Sequence, residues 1–170
     1  MQVFTIGHST RPIEEFLALL REHHIELLAD IRTVPGSRHN PQYGQAALKK
    51  TLEEHCISYR WLEGLGGLRK AKKDSVNAAW RNASFRGYAD YMQTPEFAAA
   101  LEELMTLANE KHTAIMCAEA VPWRCHRSLV ADALLARGAE VFNIMSEASA
   151  PPHKLTPFAR VEGGAVTYPA

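Results

Sequence analysis

Three short clusters in this chain combine residue types that do chemistry. Gly7–His8–Ser9 sets an imidazole and a hydroxyl directly after an apolar run. Asp30–Ile31–Arg32 closes a second apolar run with a carboxylate and a guanidinium two residues apart, and Ser37 and Arg38 follow. Cys117–Ala118–Glu119 ends a third run, and Arg124–Cys125–His126–Arg127–Ser128 comes a few residues later. Such side chains offer acid–base work by His8 with Asp30 or Glu119, and nucleophilic or redox work by Cys117 or Cys125. Anion holding falls to Ser9, Arg32, Ser37, Arg38, Arg124, His126 and Arg127.

Spacing sharpens these assignments. Cys117 and Glu119 stand two apart on an extended stretch, so they point to the same side. A helix expected from about Arg124 to Arg137 makes Arg124 and Arg127 neighbours at its start, where free N–H groups and the dipole favour phosphate or carboxylate. Cys125 in that first turn would have a lowered thiol pKa, although a helical cysteine is commonly just a small buried hydrophobe. Each guanidinium also has an internal alternative. Arg124 and Arg127 can pair with Asp30 or Glu119, and Asp30 and Arg32 with each other. Cys117 and Cys125 could approach as a reversible disulfide. Cys117, Cys125, His126 and His8 could in principle hold zinc, but no C-x-x-C pair or H-E-x-x-H helix supports it, so no metal is expected. No motif identifies a cofactor.

The elements that must position these groups alternate in period. Apolar, β-branched runs at Val3–Ile6, Leu27–Ile31, Ile57–Trp61, Thr113–Cys117 and Glu140–Met145 read as strands. Between them lie helical patterns: one capped by Thr10 with Pro12 in its first turn, one over Ala46–His55, one capped by Thr94, and one ended by Gly138. Strand and helix in turn predict an α/β domain, three-layered, with a mostly parallel sheet and helices on both faces. Residues 1–147 form the domain and 148–170 a tail packed on or along it, with a basic loop or lid at about 64–88. In such sheets ligands bind beyond the carboxyl ends of the strands, which is where the three clusters stand.

Composition limits the function classes. The 170 residues are 46% hydrophobic and carry 19 basic and 19 acidic side chains, so no overall field draws the protein to nucleic acid or an anionic surface. No apolar run reaches membrane-span length, and Met1–Gln2–Val3 does not open like a secretory signal. Three cysteines build no disulfide framework, and the expected setting is a reducing cytosol. Local exceptions are Arg60, Arg69, Lys70, Lys72, Lys73, Arg81 and Arg86, interleaved with Trp61, Trp80, Phe85, Tyr88 and Tyr91. Charge and aromatic faces in this mixture suit single-stranded nucleic acid, extended by Arg38, His39 and Tyr43; equally, the lysines are solvated and the aromatics anchor the loop to the core.

The set G-H-S after the first strand, D-I-R after the second, P-G-S soon after and C-A-E…C-H-R-S late in the chain resembles the domain of unknown function 488 family, from about Val3 to Met145. The resemblance implies a bacterial or archaeal α/β domain with no assigned activity. It marks His8, Asp30, Arg32, Ser37, Cys117, Glu119, Cys125, His126 and Arg127 as the family's polar positions. Similarity to cysteine-dependent phosphatases and rhodanese-like sulfurtransferases is confined to strand–loop–helix order. The interval from Cys117 to Arg124 is one residue too long, Pro122 lacks an N–H, and the loop has no glycine. The first expectation is thus an enzyme or binding protein for a phosphate-bearing ligand, a nucleotide or nucleic-acid component. The alternatives are a non-catalytic nucleic-acid module and a thiol-redox or sulfur-transfer protein.

Overall fold

Runs of Val, Ile, Leu and Ala too apolar for one wet face need cover on both, and the chain supplies it. The computed structural model describes residues 1–170. Five strands, β1 (Gln2–Gly7), β2 (Leu27–Asp30), β3 (Ser58–Trp61), β4 (Thr113–Cys117) and β5 (Glu140–Asn143), form a parallel sheet in the order β3-β2-β4-β1-β5. β4 is buried along its whole length, as is β2.

Helices α1 (Ile13–Glu22) and α2 (Gln45–Glu54) cover one face, where Phe16, Leu20, Leu48 and Leu52 pack on Ile6, Leu28 and Met116. The opposite face is covered by α3 (Ala83–Tyr91), α4 (Pro95–Glu110) and α5 (Arg127–Ala136), whose Tyr88, Leu101, Leu104, Leu129 and Val130 pack on Ala29, Ile115 and Val141. The fold is a three-layer α/β domain.

Local chemistry explains most boundaries. Thr94 Oγ1 accepts from the Phe97 amide at 3.3 Å and caps α4. Gly138, at φ +87°, ends α5 in the left-handed region. Two expected starts are displaced. α1 begins after Pro12, with no side-chain cap, so Thr10 does not cap it. α5 begins at Arg127 rather than near Arg124, because Pro122–Arg124 forms a 3-10 turn and Cys125 is extended. Helix α3 begins inside the stretch expected to be loop and runs past its end. Its cap is Asn82, whose side chain accepts from the Ser84 and Phe85 amides.

Residues 148–170 do more than lie along the surface. They carry a small antiparallel hairpin, β6 (Arg160–Glu162) with β7 (Ala165–Thr167), and bury Val166 and Tyr168 in the core. Asp132 of α5, fully buried, anchors them by accepting from His153 Nε2, Thr156 N, Thr156 Oγ1 and Tyr168 Oη.

Candidate thiol site at the sheet's switch point

From β1 the chain turns through α1 to one side of the sheet, and from β4 it turns through α5 to the other. Adjacent strands whose exits diverge leave a crevice at their carboxyl ends. The two exits are stitched together: His8 N donates to Cys117 O at 3.0 Å and Ser9 N to Ala118 O at 2.9 Å. Gly7 permits the crossing, since a Cβ there would sit 1.6 Å from the Glu119 carbonyl oxygen.

Arg127, first residue of α5, is fully buried and has no carboxylate partner. One terminal nitrogen, Nη1, lies 3.5 Å from Cys117 Sγ and donates to Glu119 O at 3.2 Å; Nη2 donates to Ala120 O at 3.4 Å. Its Nε has no partner. The Arg127 backbone N–H points at Cys125 Sγ at 3.5 Å. His126 places Nδ1 3.4 Å from Cys125 Sγ and Nε2 2.8 Å from the Ile31 carbonyl oxygen. Expected ion pairs of Arg127 with Asp30 or Glu119 are absent, and the sulfur takes their place.

Asp30, Arg32 and His8 gather separately, towards the α1–α2 face. Arg32 Nε and Nη2 fork onto Asp30 at 2.9 and 2.7 Å, and Tyr59 Oη donates to the same carboxylate. Arg32 Nη1 donates to Tyr43 O at 2.7 Å. His8 stacks on Tyr43 with ring centres 4.3 Å apart, and its Nδ1 faces the Ser9 carbonyl. Strand alternation explains the split: Asp30 shares its side with Leu28 of one layer, whereas Cys117 shares its side with Ile115 of the other. The rim carries the clusters expected from sequence, but as two groups of side chains, with Arg32 reaching the thiol side and backbone bonds from His8 and Ser9 tying the exits together.

A cavity of about 290 Å³ opens over the thiols. Cys117, Cys125, His126, Glu119, Arg124 and Arg32 line it, and the Gly67–Leu68 strap with Phe85 and Tyr88 of α3 roofs it. The strap is held tightly. A Cβ on Gly67 would come within 3.2 Å of the His126 ring, and one on Gly87 within 2.0 Å of Arg69 O. Arg124 and Glu119 are exposed at the mouth. Ser9, Ser37 and Arg38 do not line this cavity; Ser37 Oγ accepts from the Asn40 amide. A larger cleft of about 480 Å³, between Trp123 and the segment Pro151–Pro157, contains none of the thiols. No group of three or more His, Cys, Asp or Glu side chains is arranged to hold a metal ion.

The family described as Domain of unknown function DUF488 matches residues 12–134. The chain belongs to the DUF488 family. No curated protein and no solved structure matches it. The span is shorter than Val3–Met145: it holds all three cysteines, Asp30 and Arg127, while His8 and Ser9 precede it.

The environment of this DUF488 site shifts its titrations in a consistent pattern. Burial pushes the Cys117 thiol up, but the Cys125 thiol, the Arg127 guanidinium and the Glu119 backbone outweigh it and bring Cys117 below the ordinary thiol range. Cys125 moves the opposite way, driven up by its hydrogen bond to Cys117 and then by burial. The two thiols are thus set apart, Cys117 the more acidic and Cys125 the less. His126 and His8 are both lowered, chiefly by desolvation, so each is a neutral imidazole in the fold.

The aromatic residues of the basic stretch are largely committed to packing. Trp80 packs between Phe85, Phe158 and Tyr168; Tyr88 packs on Phe97 and His126; and Arg69 stacks on Tyr91 at 3.7 Å. The segment is fastened by Asp90, which accepts from Lys72 N, Ser75 Oγ and Asn77 Nδ2. Gly67 is a lining residue that sequence reasoning missed, while Phe85 and Tyr88, expected as stacking faces for nucleic acid, line the thiol cavity instead. The Gly66–Gly67 pair was the available signal, because adjacent glycines mark a backbone that must approach something closely.

Proposed function

We propose that this DUF488 protein is a thiol-dependent enzyme in which Cys117, as thiolate, attacks a small electrophilic sulfur in the cavity, and Cys125 is the second thiol. One observation carries the reading: a wholly buried guanidinium with no carboxylate lies against Cys117 Sγ. An unpaired charge in the interior is expensive, and the thiolate is the anion within reach. Arg127 also donates to Glu119 O, which fixes the guanidinium beside the sulfur.

The thiol reading is favoured over a phosphate-holding site because two of the three arginines are committed. Arg32 forks onto Asp30, and Arg127 serves the sulfur and two carbonyls. Arg124 alone is free at the mouth, where it suits a substrate with one negative group.

Thiosulfate tests the proposal. Attack on its outer sulfur forms a Cys117 persulfide and releases sulfite, which balances charge and atoms. Intact-mass and peptide mapping should place the added sulfur on Cys117, with none in Cys117→Ser. Small disulfides should likewise mark Cys117 first. Failure of both probes to modify Cys117 at neutral pH would reject the reading.

A further inference from the structure

We propose that His126 is the base that deprotonates Cys125, so that the two cysteines work as a dithiol and close into a Cys117–Cys125 disulfide at the expense of a low-molecular-weight disulfide. The inference rests on the thiol reading and names its substrate class.

The geometry fixes the direction of proton flow. His126 Nε2 lies 2.8 Å from the Ile31 carbonyl oxygen, which can only accept, so Nε2 carries the hydrogen. Nδ1 is thereby the basic nitrogen, and it faces Cys125 Sγ at 3.4 Å. The ring cannot swing away, because Gly67 leans on one side and Tyr88 on another, with ring centres 5.0 Å apart. Burial keeps the imidazole neutral at rest, the state a base needs. Sequence neighbours Cys125 and His126 rarely meet through side chains on a regular helix. They do so here because Cys125 is extended and the helix starts only at Arg127.

The steps balance. Cys117 thiolate attacks RSSR, forming Cys117–S–S–R and expelling RS⁻. Cys125 then gives its proton to His126 Nδ1 and attacks the Cys117 sulfur, forming the Cys117–Cys125 disulfide and expelling a second RS⁻, which takes the proton from His126. One RSSR is reduced to one thiolate and one thiol as the protein's thiolate–thiol pair is oxidised to the disulfide. Once Cys117 is capped as the mixed disulfide, His126 Nδ1, 3.4 Å from Cys125 Sγ, is the base within reach of the Cys125 proton.

Dithiodipyridine provides the test, since each thione released is seen optically. Stopped-flow traces are taken in a Cys56→Ala background, Cys56 being exposed and free. The expected result is two releases per chain and a mapped Cys117–Cys125 disulfide, with one release only in Cys125→Ser. In His126→Ala the ratio of second to first rate falls by about a hundredfold or more, the low side of what a general base contributes. Added imidazole restores that ratio, which a merely structural role would not allow. An unchanged ratio, or no rescue in a folded variant, overturns the role of His126. A stable Cys117 mixed disulfide in the wild type overturns dithiol closure. No reaction at Cys117 overturns the thiol reading beneath it.

Discussion

Arg127 Nη1 and Cys117 Sγ lie 3.5 Å apart at the bottom of a β1–β4 crevice, and the guanidinium has no carboxylate to balance it. Each group accounts for the other's state. The charge would be costly without an anion, and the thiol would be raised by burial without a cation. Cys117→Ser removes the anion and leaves the cation, so it should destabilise the fold by about 3–5 kcal/mol, far more than its small change in volume suggests. Adding Arg127→Met should recover much of that loss. Urea unfolding of the two single variants and the double variant reads the coupling directly; strict additivity would contradict the pairing.

Asp30 and Arg32 form a second buried pair, with a different consequence. Asp30→Asn keeps the shape but leaves Arg32 facing an amide, at a cost of about 3–5 kcal/mol. The loss should appear as a lower urea midpoint at unchanged m-value. A variant as stable as the wild type would show that this carboxylate does not hold the fold.

Acid stability follows from the two lowered imidazoles, His8 and His126. Below the free histidine value of 6.5 the unfolded chain binds protons that the native state refuses, so stability falls as pH falls. Each can contribute up to about 1.4 kcal/mol per pH unit in that window. Melting temperatures measured downward from neutrality should show the slope, and His126→Gln should flatten it. An unaltered slope in that variant would count against a neutral buried His126.

Gly7 makes a steric prediction. A methyl group there would collide with the Glu119 carbonyl and crowd Arg127 Nη1 at 2.8 Å, so the loop after β4 must lift. Gly7→Ala should destabilise by about 1–3 kcal/mol and slow Cys117 alkylation at neutral pH. Normal stability and normal thiol reactivity together would contradict the described crossing.

Much of this was legible in the amino-acid order. The strand–helix alternation pointed to the parallel sheet, and His8, Asp30 and Cys117 stand at the carboxyl-end rim where their sequence positions put them. The side of the sheet was not so visible. Asp30 and Cys117 both end strands, and only the register of Asp30 beside Met116 and of Cys117 beside Gly7 shows that they face opposite layers. Local signals misled at Cys125, where Pro122 draws the chain into a 3-10 turn and delays the helix. Helix α3 escaped notice because Gly87 weakens its pattern, while its real purpose is to let the Arg69 carbonyl approach. The partner of Arg127 could not be read at all, since choosing sulfur over Asp30 or Glu119 depends on contacts between distant segments.

The pH dependence of Cys117 alkylation by iodoacetamide, resolved by peptide in the Cys56→Ala background, tests the thiolate most directly. The account predicts a midpoint below the ordinary thiol range, displaced upward in Arg127→Met. A midpoint at or above that range, unmoved by loss of the guanidinium, would contradict it.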